Sequence, residues 1–353
     1  MTDEEGPRRR LRTGGAGSTP AVHLVAEWAS DIGTGQASPD AAWDVILGAL
    51  PSFPGHRQPA IPLNGTYDAA DALVMERHFA AAQAHGITAF AHRVRAGRPS
   101  PALDAVAASP DVAVRFLVLV EQGVAPSDPA ADADLVVSWL DHPRYATIDE
   151  RPVVVAEPGD VGWARAFAGE LRARCAFRAL EPLLVLVDTA GRPDPAAQTF
   201  DVAMERPPVS GRTTKGPARP SYGAWAVAAI EVARPAHPWA RRCFAGYDDT
   251  PLAGPAAVVA EGATPAELGR WLRFCLEDTV LHARVEHWLV HVGAWNDWGH
   301  GIYLEPDVEL GDARLLALSR ACAEVEPLCR DVAAAHADGR RALLDAARRR
   351  GPR

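Results

Sequence analysis

The chain has 353 residues, 48% of them hydrophobic, which is enough to bury a sizeable core within one domain. With 45 acidic against 36 basic side chains its formal net charge is −9, which argues against a nucleic-acid partner, since phosphate backbones want a basic face. No apolar run reaches the ~18 residues of a membrane span, no apolar stretch follows Arg8–Arg10 as in a secretory signal, and the five cysteines, odd in number and without CxxC spacing, read as buried thiols of a reducing compartment, so a cytoplasmic protein is expected.

Residues 1–20, charged and Gly-rich, are expected to be a disordered tail. Ala21 to Trp28 (AVHLVAEW) reads as the first strand and ends on Glu27 and Trp28. Residues 30–60 form a long Gly/Pro-rich loop, a length that in a compact domain points to function or insertion. Tyr67 and Asp68 precede an amphipathic helix from about 69 to 85, with Leu73, Phe79 and Ala80 turned inward and Gly86 closing it. Ile87 to Ala91 is the second strand and delivers His92 and Arg93; Phe116 to Val120 is the third and delivers Glu121 and Gln122. A helix over Asp128 to Leu140 follows, then a strand over Pro152 to Ala156 ending at Glu157, and a helix over Trp163 to Arg174.

Leu183 to Val187 is the fifth strand, ending at Asp188, and Asp201 to Met204 the sixth, ending at Glu205 and Arg206. The Pro/Gly-rich run 207–220 has the composition of a mobile lid. Tyr222 to Val232 fits a helix or a strand. Arg241 to Gly246 is the seventh strand, followed by Tyr247, Asp248 and Asp249. Thr264, Pro265 and Glu267 are the cap, first-turn proline and capping-box acid of a helix reaching about Thr279. Trp288 to Ala294 is the eighth strand; it turns into Trp295, Asn296, Asp297, Trp298, Gly299, His300 and Gly301, with Glu305 and Pro306 beyond. Gly311 to Cys329 is a closing helix, and the Ala/Arg-rich stretch 332–353 a weak helix or tail.

Eight short apolar strands alternating with helices predict an α/β fold, a single-domain (β/α)8 TIM barrel over 21–331 with long βα loops. The runner-up is an open doubly wound sheet, but no GxGxxG opens a helix after the first strand. On a barrel the strand-end polar groups converge on one face. That set is Glu27, His92, Arg93, Glu121, Gln122, Glu157, Asp188, Glu205, Asp248, Asp249, Asn296, Asp297 and His300. Indoles beside carboxylates suit a sugar, which offers CH faces to stack and hydroxyls to bond; Trp28, Trp295, Trp298, Tyr67 and Tyr247 are the aromatic candidates, and Glu305 either joins them or braces the glycine turn. Glycosyl chemistry needs a group that moves a proton at an exocyclic oxygen and a second that stabilises or attacks the oxocarbenium-like centre. There is no HExxH and no zinc-type spacing of His and Cys, so no metal and no other cofactor is expected.

The line AWNDWGHGIYLEPD over 294–307 resembles the AWNEWAEGxxLEPD signature of the WbsX-like glycosyltransferase family, itself similar to glycoside hydrolase family 99 of the endo-α-mannosidase type. FPGHRQP at 53–59, HGITAF at 85–90, HPRYATIDERPVVV at 142–155, FDVAMERPP at 200–208 and GYDDTP at 246–251 resemble the family in the same order. The resemblance implies a (β/α)8 barrel and two catalytic acids, one a base toward the sugar 2-hydroxyl and one acid/base at the glycosidic oxygen. Carried over by position, these fall on Asp297 and His300. Both depart from the pattern: the aspartate is one methylene shorter than a glutamate, and an imidazole can exchange protons at neutral pH but cannot be an anionic nucleophile.

The function implied is transfer or cleavage of a glycosyl group in bacterial polysaccharide or glycosylated-metabolite biosynthesis. The partners implied are a carbohydrate or glycosylated small molecule and a nucleotide-sugar donor. Two alternatives stay open: a sugar-binding barrel that lost its second acid, and a lyase- or cyclase-type acid/base enzyme on a sugar-bearing natural product.

Overall fold

The computed structural model describes residues 21–350, except 37, 99, 124–125, 188–193 and 207–215, and gives no side chains from residue 340 onward. Asp188 and most of the expected lid therefore lie outside the described residues.

Eight parallel strands close on themselves: β1 (His23–Trp28), β2 (Ala89–Arg95), β3 (Phe116–Glu121), β4 (Arg151–Glu157), β5 (Leu183–Val187), β6 (Val202–Met204), β7 (Trp239–Cys243) and β8 (Leu289–Ala294). Each pairs with its neighbour in sequence, and β8 returns to β1, with His23 beside Leu289 and Val25 beside His291. This is the expected (β/α)8 barrel. Runs such as LLVLV and FLVLVE are buried along their length, as strands packed inside a barrel and under its helices must be.

The helices that cover the strands carry their own start signals. Ser38, Asp71, Asp128, Asp160, Ser221 and Thr264 each accept a backbone N–H of the first turn. They open α1 (Pro39–Leu47), α2 (Ala72–Ala84), α4 (Pro129–Leu140), α5 (Val161–Phe177), α6 (Tyr222–Glu231) and α7 (Pro265–His282), with α3 (Pro101–Ala108) between β2 and β3. One long helix, α8 (Ala313–Arg350), runs without a break from the expected closing helix into the Ala/Arg-rich stretch.

Several boundaries differ from expectation for local reasons. The 30–60 loop contains α1, because Ser38 and Pro39 start a helix that buries Ala42, Trp43 and Ile46. Tyr222 starts a helix, capped by Ser221. On α2 the buried face is Val74, Met75, Phe79 and Ala82, while Leu73 and Ala80 are exposed. The true apolar stripe is offset from the one expected. β2 runs past Ala91 to Arg95, so His92 and Arg93 sit inside a strand and point to opposite faces of the sheet.

Candidate active site

At the C-terminal mouth of the barrel a chain of charges crosses between strands. The carboxylate of Glu27, at the end of β1, takes Arg93 from β2 on one oxygen and Arg242 from β7 on the other. His291 of β8 lies beneath, its Nε2 3.6 Å from Glu27. Arg93 reaches on to Asp297, with 3.7 Å between Nη1 and Oδ2. Asp297 in turn accepts from His300: Oδ1 lies 2.9 Å from Nδ1 and 3.1 Å from the backbone N–H of the same residue.

The turn that brings His300 over Asp297 is set by glycines and a bulge. Asn296–Asp297 pairs antiparallel with Ile302–Tyr303, so Trp298 to Gly301 form the tip of a tight hairpin. A Cβ on Gly299 would stand 2.5 Å from the carbonyl oxygen of Gly33, and Gly301, at φ +63°, lies against the backbone of Asp248. Gly33 in the β1 loop presses on Asp297; a Cβ there would overlap its carboxylate. One step earlier, the register of β8 against β1 slips, with Ala26 beside Val292 but Glu27 beside Ala294. Gly293 is the extra residue, and its missing side chain makes room for Phe244 and Ile302.

The electrostatics follow from this wiring. Burial by itself would raise the pKa of Glu27, but the charges of Arg242 and Arg93 outweigh it and hold the group at about 2. Burial likewise works against the charged form of Arg93, and Glu27, Asp297 and Glu121 more than restore it. His291 has no such help: burial, then the charge of Arg242, brings it down to about 3, and it is neutral. For His300 burial lowers the pKa, yet the hydrogen bond and charge of Asp297 win and raise it above 6.5. Its side chain is 34% exposed, whereas that of Asp297 is 3% exposed. With Nδ1 committed to Asp297, Nε2 is the nitrogen left for a ligand. The dyad can therefore take or give a proton at Nε2 of a part-exposed ring, backed by a buried carboxylate.

Other expected site residues sit around this centre. Tyr247 places its ring 6.3 Å from that of His300 and donates to Asp249, which also accepts the Val258 amide. Asp249 is buried and acts on His300 by charge. Asp248 ties down the loop 51–60 through His56 Nε2 at 2.8 Å and Gln58 Nε2 at 2.6 Å. Glu121, with Gln122, Glu157, Asp160, Trp163 and Arg206, lines a cleft of about 800 Å³ over the ends of β3 and β4.

The other expected site residues lie away from this centre. Trp28 is fully buried behind β1, stacked on Phe90, its indole N–H on the Ala69 carbonyl. Trp295 turns outward after the bulge and donates to His78; Trp298 stacks on Tyr303 at 3.8 Å and donates to Glu305. Both indole N–H groups are spent on these partners, and Trp298 also lines a cleft with Tyr247 and Asp248. Asn296 spends its amide on Ala29, accepting its N–H and donating to its carbonyl. His92 points away from Arg93, to Ser100 at the start of α3. Glu205 faces Arg241 and the buried pair Arg241–Asp278 beneath α7, outside the barrel. Glu305 and Tyr67 bond each other on the flank of the barrel rather than at its mouth. Arg242 and His291 were not foreseen. An arginine pair inside the otherwise apolar WARRC strand was their one signal, since alternation must send one of the two inward.

Comparison with known proteins bears on the whole barrel. The family model described as Glycosyltransferase WbsX matches residues 20–93 and 114–318. Two sequences from strains of Xanthomonas campestris pv. campestris, both named uncharacterized protein WxcX, are 26% identical over 328 residues, covering 81% of this chain and 47% of theirs. The chain thus spans about half the length of these curated relatives. Among solved structures, a GH99 endo-α-mannosidase from Bacteroides thetaiotaomicron aligns with TM-scores of 0.60 and 0.57, at 14% and 16% identity, over 87% and 88% of this chain and 98% of that one. At such identity the likeness is one of fold.

Proposed function

The chain belongs to the WbsX glycosyltransferase family, and from that premise we propose that it is a carbohydrate-active enzyme that transfers or cleaves a glycosyl group through His300. The observation that carries the proposal is the pairing of His300 Nδ1 with buried Asp297 at 2.9 Å, which leaves Nε2 as the proton-handling atom at the mouth. In transfer, Nε2 of the neutral ring takes the proton of an acceptor hydroxyl as that oxygen bonds the anomeric carbon, and the donor's leaving group departs with the electron pair of the broken bond. In cleavage the imidazolium gives that proton to the departing glycosidic oxygen, and water supplies the new oxygen. Asp297 acts through His300: it fixes the tautomer and stabilises the imidazolium, and as a buried group it is a positioning residue rather than the base toward a sugar hydroxyl. Arg93 holds that carboxylate from behind.

The donor fits a nucleotide sugar and the setting a cytoplasmic step of bacterial polysaccharide or glycosylated-metabolite assembly, with residues 21–331 as the working domain. No helix among the described residues is long and apolar enough to cross a membrane. One observation favours a second reading. Glu27 is taken up by two arginines and Asp297 by His300, so neither is left over as an anionic nucleophile. A sugar-binding barrel without turnover, or acid/base chemistry without a glycosyl-enzyme, would have this arrangement.

One experiment separates these readings. Wild type and Asp297→Asn are incubated with bacterial glycan and small-molecule extract plus nucleotide sugars, and products are followed by mass spectrometry. A gain or loss of a hexose-like mass with wild type and not with the variant supports glycosyl chemistry. No mass change, with the same sugars co-purifying on both proteins, moves the assignment to a binder.

A further inference from the structure

A second cavity, about 590 Å³ in volume, opens on the flank of the barrel between α2 and the start of α8. None of Glu27, Arg93, Asp297 and His300 lines it. Its floor is Glu305, 2% exposed. Oε2 of that carboxyl is filled, accepting the Tyr67 hydroxyl at 2.5 Å and the Trp298 indole N–H at 2.8 Å. Oε1 has no hydrogen bond among the described residues; the nearest charged-type neighbour is His78 Nδ1, 3.9 Å away.

That histidine has its own fixed state. Trp295 Nε1 donates to His78 Nδ1 at 3.0 Å. An indole can only donate, so Nδ1 holds the lone pair and the ring proton is on Nε2. Burial, with the charge of Arg77 added, keeps the ring neutral by lowering its pKa to about 4. Burial pushes Glu305 the other way, up to about 8 against the pull of the Tyr67 and Trp298 hydrogen bonds, so at neutral pH it holds a proton. With Oε2 occupied by two donors, that proton belongs on Oε1. The cavity floor therefore presents two neutral donors, one imidazole N–H and one carboxylic O–H. At the rim stand the amide of Asn64 and the guanidinium of Arg77, which is exposed and makes no ion pair among the described residues. Asp312, the other carboxylate of the lining, marks the opposite edge, on the last turn before α8.

We propose that this flank cavity is a second binding site that takes an anionic sugar residue of the hexuronate type, its carboxylate on Arg77 and its hydroxyls on His78, Glu305 and Asn64. The volume is in the ~300–1,000 Å³ range of small-molecule sites, several times what a bare carboxylate or phosphate fills. The donors divide into one charged group at the rim and neutral ones at the floor, which matches a ligand with one charge and several hydroxyls. The inference rests on the carbohydrate-active reading of the chain but on none of the mouth residues. An acidic glycan held here would be gripped away from the atom at which it reacts.

Isothermal titration calorimetry of the whole chain with D-glucuronate, D-glucose and inorganic phosphate tests it. Saturable glucuronate binding is expected, weakened about tenfold or more for glucose and in Arg77→Ala, and unchanged in His300→Ala. Glu305→Gln, which keeps a donor at the floor, retains binding; Arg77 is exposed on α2, so its variant reads binding free of any folding defect at Glu305. Absence of saturable glucuronate binding, equal binding of glucose, or phosphate displacing glucuronate mole for mole would overturn the proposal. So would binding lost in His300→Ala but kept in Arg77→Ala, which assigns the sugar to the mouth. The mass-spectrometric assay above turns on Asp297 and the titration on Arg77, so failure of one reading is told apart from failure of the other.

Discussion

The inner and outer faces of the same strand ends make opposite use of similar residues. Inside the mouth, Glu27 is ionised because Arg93 and Arg242 reach it, and Asp297 lies between Arg93 and His300. Outside, only a few residues away in sequence, Glu305 is packed among Tyr67, Trp298 and His78, with no arginine paired to it among the described residues, and burial keeps it neutral at pH 7. Glu27 is followed by Trp28 and His92 by Arg93, one of each pair facing in and the other out. Which side a residue takes, rather than which residue it is, decides whether it can do chemistry.

The largest test of this contrast is His300→Ala. If the inner dyad handles the proton, turnover falls about 10²- to 10⁴-fold with the fold intact. The pH profile sharpens it. The pKa of His300 is raised, so the basic ring that accepts a proton accumulates only above 6.5, and a base-dependent step has its rising limb there. Asp297→Asn removes the cause of the upward shift and moves the limb to lower pH. A profile that keeps its limb in His300→Ala would remove the imidazole from the mechanism.

Glu27→Gln comes next and is read as stability. It leaves buried Arg242 and half-buried Arg93 without their shared anion, for which a loss of about 3–5 kcal/mol in urea unfolding is expected. The linkage has a defined sign. Glu27 is depressed to about 2 in the fold, so its contribution is full above the unfolded carboxyl pKa and is lost as pH falls from about 4.5 toward 2. The variant should lose that part of the acid sensitivity. If its acid unfolding matches wild type, the inner network is not what holds Glu27 ionised.

Much of the barrel could be read from residue order, because its strands are apolar runs closed by caps and glycines whose chemistry is local. Of the residues that meet at the centre, Asp297 and His300 stand in the sequence motif and Glu27 ends an apolar strand, while Arg93 follows the apolar run of the second strand. What sequence spacing could not show was the bulge at Gly293, which turns Trp295 outward and made a stacking platform look plausible. Nor could it show the length of β2, which sends His92 behind the sheet. Arg242 and His291 sit within strands, where a polar side chain is invisible to a search of strand ends. The side cavity depends on α2 and α8 meeting far apart in sequence, so no local pattern marks it.

On the outer face the sign of the pH effect reverses. Glu305 is raised to about 8, so the folded chain keeps a proton that the unfolded chain loses above about 4.5. Stability should therefore decline as pH rises from about 4.5 to 8, the opposite of the Glu27 slope. Glu305→Gln should flatten that decline, measured as urea midpoints across the range, and leave the acid side untouched. A decline of the same slope in the variant would mean that another group titrates there.

The smallest effect separates the outer indole from a sugar platform. Trp298→Phe keeps an aromatic ring against Tyr303 but deletes the N–H that Glu305 Oε2 accepts. A loss of about 1 kcal/mol in stability is expected, as for one neutral hydrogen bond. Because Trp298 is 1% exposed and its N–H is spent on Glu305, the KM for any sugar substrate should stay within about twofold of wild type while the midpoint of unfolding drops. A rise in KM with no change in stability would reverse the order of the two faces and return the indole to the mouth.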